Sequence, residues 1–119
     1  MSETGVGDAM LVAASGRVDL SNADSFKDAL AAAQDRTKGA LILDLSGVDY
    51  ISSAGLRALM IVFKAGKAAG KAFGITGLTP LLAEIFTISR FNQVFPLFET
   101  AREAIANLAP DALPAYDAR

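Results

Sequence analysis

The run Ala40-Leu41-Ile42-Leu43-Asp44-Leu45 constrains the fold more than any other feature of this chain. It follows Gly39 and is apolar at consecutive positions, where a strand with one wet face would alternate. Such a run suits a strand inside a sheet covered on both faces. A few residues later the period changes: Leu56, Leu59, Met60 and Phe63 fall at i, i+3, i+4 and i+7, one stripe of a helix. Strand, short loop and helix therefore follow in order, and Ser52-Ser53-Ala54-Gly55 sits at the junction.

The same alternation recurs along the chain. Met10 to Ala14 reads as a strand ended by Gly16, leading through Arg17-Val18-Asp19 to a helix capped by Ser21 or Asn22, with Ala23, Phe26, Leu30 and Ala33 inward. The second helix runs from about Ser53 to Ala69 and stops at Gly70. Ala72 to Thr76 is a short strand. Thr79-Pro80 opens a third helix, proline being suited to a first helical position, with Leu78, Leu81, Leu82 and Ile85 as its core face. Phe95 to Phe98 is a last strand, and Thr100-Ala101-Arg102-Glu103 a capping-box pattern before a helix that buries Ala101, Ala104, Ile105 and Leu108. Strands alternating with helices imply an α/β domain with at least three largely parallel strands and right-handed crossovers. In such sheets functional groups gather where strands end and helices begin.

At 119 residues the chain is one domain, taken as residues 1–109, and Pro110 to Arg119, with two prolines, is expected to be a flexible tail. Cysteine and histidine are both absent. That removes thiol chemistry, the usual zinc ligands and the commonest general base, so Ser53 has no histidine to activate it as a hydrolase nucleophile. No acidic pair follows the first strand to hold the magnesium of a phosphoaspartate receiver. The chain is expected not to be an enzyme and to need no cofactor or metal. No apolar stretch reaches membrane-spanning length and no secretory pattern opens the chain, so a cytoplasmic location without membrane insertion is expected. The net charge is −2, and Lys64, Lys67 and Lys71 form a solvated row, which argues against nucleic acid as a partner.

Three segments together resemble the STAS domain, specifically the bacterial anti-sigma factor antagonists: Gly16-Arg17-Val18-Asp19, Asp44-Leu45-Ser46-Gly47-Val48 and Ile51-Ser52-Ser53-Ala54-Gly55-Leu56. Their order and spacing agree, from about Met10 to Leu108. The resemblance implies the STAS fold, a single layer of mostly parallel mixed sheet with about four helices. It implies a partner switch: the unphosphorylated antagonist binds an anti-sigma factor that is also a serine kinase, phosphorylation of a loop serine releases it, and a PP2C-type phosphatase resets it. Ser53 takes the phosphoacceptor position, Ser52 being a second hydroxyl where many members carry aspartate. Asp19 takes the position of an early aspartate near that serine. The expected partner-binding set is Asp19, Asp44, Asp49, Ser52, Ser53, Ala54, Gly55 and Arg57, with Asp49 in a solvated loop and Asp44 either exposed or hydrogen-bonded inside. Little chain precedes Met10, so the extra N-terminal strand of typical members is expected to be short or absent. The alternative is a STAS subunit of a transport or lipid-trafficking assembly that docks constitutively, without phosphorylation.

Overall fold

A computed structural model describes residues Met1–Arg119. The elements are β1 (Ser2–Val6), β2 (Ala9–Val18), α1 (Ala23–Asp35), β3 (Ala40–Ile51), α2 (Ser53–Ala68), β4 (Ala72–Thr76), α3 (Pro80–Ile88), β5 (Leu97–Phe98), α4 (Ala101–Leu108) and α5 (Leu113–Asp117), with 3-10 turns at Phe91–Gln93 and Pro110–Ala112. The five strands lie in sequence order in one sheet. β1 is antiparallel to β2, and β2, β3, β4 and β5 run parallel. This is the mixed, mostly parallel STAS sheet. The N-terminal strand, expected to be short or absent, forms with five residues through the Gly7–Asp8 turn.

Stepping always in one direction, right-handed crossovers place their helices on one face. Leu41, Leu43 and Leu45 of β3 accordingly join α1, α2 and α3 in the larger core, where Phe63, Phe73, Phe86, Phe91 and Phe95 pack edge-on or tilted at 5.0–6.5 Å between ring centres. The opposite face, with Ala9, Ala40 and Ile42, would be bare without another cover. Ala104 and Ile105 of α4 and Ala112 supply it, with Leu113 and Tyr116 packed alongside.

That requirement corrects the tail. Residues 110–119, expected to trail as a flexible end, form a 3-10 turn and α5; Ala112 is 2% exposed, and Asp117 accepts two bonds from Arg102 at 3.0 and 3.1 Å. β2 and β3 are also longer than expected. Gly16, at φ +86°, carries β2 through a bulge to Val18 where a side chain would be strained, and Asp49 lies on an exposed strand position of β3 and not in a loop. β5 is shorter, because Phe91–Gln93 coils and tucks Phe95 into the core. In α3 the buried residues are Leu82 and Phe86, four apart, while Leu81 points outward. Thr79 and Thr100 cap α3 and α4, accepting from Leu82 N at 3.3 Å and Glu103 N at 3.1 Å.

Candidate functional site

β2 and β3 end together, with Val18 opposite Ile51, so the loops that leave them are neighbours. The Ser52 amide donates to the Val18 carbonyl at 2.8 Å, tying the start of α2 to the loop carrying Asp19. Ser52, not Ser53, is the cap: its backbone is extended (φ −85°, ψ 174°) and its hydroxyl accepts from Gly55 N at 3.3 Å. Ser53 is the first helical residue, exposed, with its hydroxyl in no side-chain hydrogen bond.

Gly55 explains how α2 can start so close to the sheet. A Cβ there would stand 2.6 Å from Ile51 Cγ1 and 2.8 Å from Val18 Cγ1, inside any normal contact. Glycine lets the first turn settle on the ends of both strands. Ser53 is thereby held by rigid elements on each side.

The β2–α1 loop is fixed by its own polar groups. Asp19 Oδ1 accepts from Ser21 N at 3.0 Å and Ser21 Oγ at 2.5 Å. Asn22 precedes α1 but makes no capping bond; its Oδ1 accepts from Asp19 N at 2.8 Å and its Nδ2 donates to Arg17 O at 2.7 Å. The Ser21 hydroxyl first, then the Ser21 amide, hold the Asp19 carboxyl below its ordinary range. Arg17 stands 3.8 Å from Asp19 and stacks over the Tyr50 ring at 4.8 Å. A charged carboxylate beside Ser52 and Ser53 is therefore a fixed part of the surface.

Asp19, Ser52, Ser53, Ala54, Gly55 and Arg57 are brought together at this edge, with Asp49 exposed on the strand that leads to it. Asp44 is not: it lies eight residues before Ser52 on β3, on the α4–α5 side of the sheet, accepting from Ser46 N at 2.9 Å. It is half-buried and bonded only to its own chain two residues on, between the exposed and the interior placements expected for it.

Two residues went unmarked in the sequence. Leu20 is 85% exposed and Ile61 46% exposed, and they line an open groove of about 290 Å³ between α1 and α2, with Ala54 and Arg57 on its α2 wall. The helices are pinned at the other end, where Gln34 Nε2 donates to Val62 O at 2.9 Å and the Gln34 side chain lies where a Cβ on Gly66 would be. Ala54, next in sequence to Ser53, is part of the groove wall. The signal for it was Leu20, an apolar residue in the polar turn Asp19-Leu20-Ser21-Asn22, and Ile61, off the apolar stripe of α2.

A family model described as "Mlab, STAS domain" matches residues 1–99. A Bordetella bronchiseptica protein, "Putative anti-sigma factor antagonist BtrV", is 39% identical over 108 residues, covering 90% of this chain and 92% of that protein. The crystal structure of an anti-sigma factor antagonist from Mycobacterium paratuberculosis superposes with a TM-score of 0.80 at 25% identity, over 90% of this chain and 91% of the other. A Thermotoga maritima structure under the same description as the Bordetella protein reaches 0.83 at 18% identity over 90% and 92%, a likeness of fold. No helix is long and apolar enough to cross a membrane. The family match runs from β1 through β5 and takes in both loops of the site: the chain belongs to the STAS domain family.

Proposed function

We propose that this chain is an anti-sigma factor antagonist that binds a serine-kinase anti-sigma factor and is released when Ser53 is phosphorylated, a PP2C-type phosphatase restoring the binding form. The observation that carries this reading is the division of labour between the two serines. Ser52 does the capping, so the Ser53 hydroxyl is exposed and free, at the first position of a 16-residue helix. Phosphate there gains from the positive end of the helix dipole. The names of the relatives support the antagonist reading, and the absence of histidine and cysteine supports action by binding and not by catalysis.

The physics of release follows from charge. A phosphoserine adds about 1.5 to 2 negative charges at neutral pH. The added charge joins Asp19 and Asp49, so a partner fitted to the unmodified surface meets both bulk and added negative charge.

The test is phosphorylation by candidate anti-sigma factor serine kinases from the same organism, with ATP and Mg²⁺, mapped by mass spectrometry and repeated on Ser52→Ala and Ser53→Ala. Incorporation lost with Ser53→Ala alone is the expected result. A stable complex without incorporation favours the constitutive subunit, and undiminished binding by Ser53→Asp ends the switch reading.

A further inference from the structure

The charged residues on the elements that meet near Ser53 are Arg17 and Asp19 from β2 and its loop, Asp24 and Lys27 from α1, Asp49 from β3 and Arg57 from α2. Two of the three cations are occupied. Arg17 is engaged by Asp19 and the Tyr50 ring, and Lys27 stands 3.8 Å from Asp24. Arg57 is exposed and belongs to none of the four ion pairs. It follows Ser53 by four residues, so the two share a helix face, and helical side chains lean over the preceding turn. An anion N-terminal to a cation at this spacing is the favourable order. Arg57 is also the unpaired charge on the groove that Leu20 and Ile61 line.

We infer, resting on the phosphoacceptor reading of Ser53, that Arg57 has two employers. With Ser53 unmodified, its guanidinium stands at the groove rim and meets a carboxylate of the anti-sigma factor, whose apolar side chain seats between Leu20 and Ile61. With Ser53 phosphorylated, it turns to the phosphate and leaves the rim. Release then includes withdrawal of an attraction as well as repulsion, and the one cation available to both anions decides the competition. Charge complementarity sets the chemistry of the occupant: an apolar side chain next to an acidic one.

The first arm of the test needs no kinase. Phosphoserine is installed at position 53 during translation, and its second ionisation is followed by ³¹P NMR in the intact chain, in Arg57→Gln and in Arg17→Gln. Arg57 should lower that ionisation by roughly 0.15 to 0.4 pH units, an effect that about 1 M salt removes. Identical titration in Arg57→Gln, or a shift produced by Arg17→Gln in its place, overturns the inference. In the second arm the anti-sigma factor kinase that labels Ser53 is titrated calorimetrically with unmodified protein, where Arg57→Gln should weaken binding about fivefold. Unchanged affinity overturns the partner half. Failure of wild type to bind that kinase, or labelling that survives Ser53→Ala, would strike the phosphoacceptor reading itself and is separately visible.

Discussion

Replacing Gly55 by alanine sets two effects of opposite sign against each other. Helix propensity favours alanine over glycine by about 0.8 to 1 kcal/mol in a helix interior, and no unusual backbone angle holds Gly55 as glycine. Space argues the other way. The added methyl would sit 2.6 Å from Ile51 Cγ1 and 2.8 Å from Val18 Cγ1. Neither is the free end of a flexible chain: both residues are β-branched and buried, at 1% and 3% exposure, and they face each other across the β2–β3 ladder. Overpacking of this kind costs about 1 to 3 kcal/mol, and with two stiff neighbours the upper half of that range applies. The net expectation is a loss of about 1 to 2 kcal/mol, or roughly 4 to 10 °C in Tm for a domain of this size.

Thermal unfolding followed by circular dichroism measures it. Val18→Ala removes one of the two colliding groups, and alone should cost about 1 to 2 kcal/mol. Combined with Gly55→Ala it should cost at least about 0.5 kcal/mol less than the sum, because the cavity and the extra methyl fill each other. A Tm for Gly55→Ala at or above wild type, or strict additivity in the double variant, would show that α2 does not rest on the strand ends as described.

Ser52→Ala should lower stability by about 1 kcal/mol through loss of the cap, while Ser53→Ala should stay within about 0.5 kcal/mol, measured by urea unfolding. Gln34 is 4% exposed and its Oε1 has no partner; Gln34→Met, of similar length, should therefore hold or raise Tm, since it removes a buried orphan acceptor while the Val62 carbonyl keeps its place in the helix. Asp19, its carboxyl held low chiefly by Ser21, should titrate below the ordinary aspartate range by NMR, and Ser21→Ala should move it back up. Its folded value being the depressed one, its stabilising effect is present above the unfolded value and fades as pH falls through the folded one, so the Ser21→Ala variant should lose less stability on acidification.

The elements with strong local signals were legible in the sequence. Ala23, Phe26, Leu30 and Ala33 of α1 are all buried, Thr79-Pro80 and Thr100 open their helices, and β4 runs from Ala72 to Thr76. The positions of Ser53, Gly55 and Asp19 at strand ends and helix starts were legible because those boundaries are marked by residue type. What was not legible depended on other segments. Which serine caps α2 is decided by the Ser52 amide bonding Val18, 34 residues earlier, and Asp44 was drawn into the site by its motif although the sheet turns it to the other face. The tail offered the plainest case. Ala40 and Ile42 already required a cover on the second face, and α4, eight residues long, covers it only together with the segment that two prolines suggested was loose.

The location of the groove is a consequence of winding. Because the chain steps across the sheet without reversing, α1 and α2 lie side by side in the same direction, and their N-termini emerge where β2 and β3 end. Ala23 and Asp24 of α1 accordingly meet Ala54 and Arg57 of α2 across the groove, while Gln34 and Gly66 close the far ends. Ser53 begins the helix that supplies Ala54 and Arg57 to the groove, so a charge added there falls next to the groove and not on a remote surface. It can act on a partner by local electrostatics, with no rearrangement of the core beneath it.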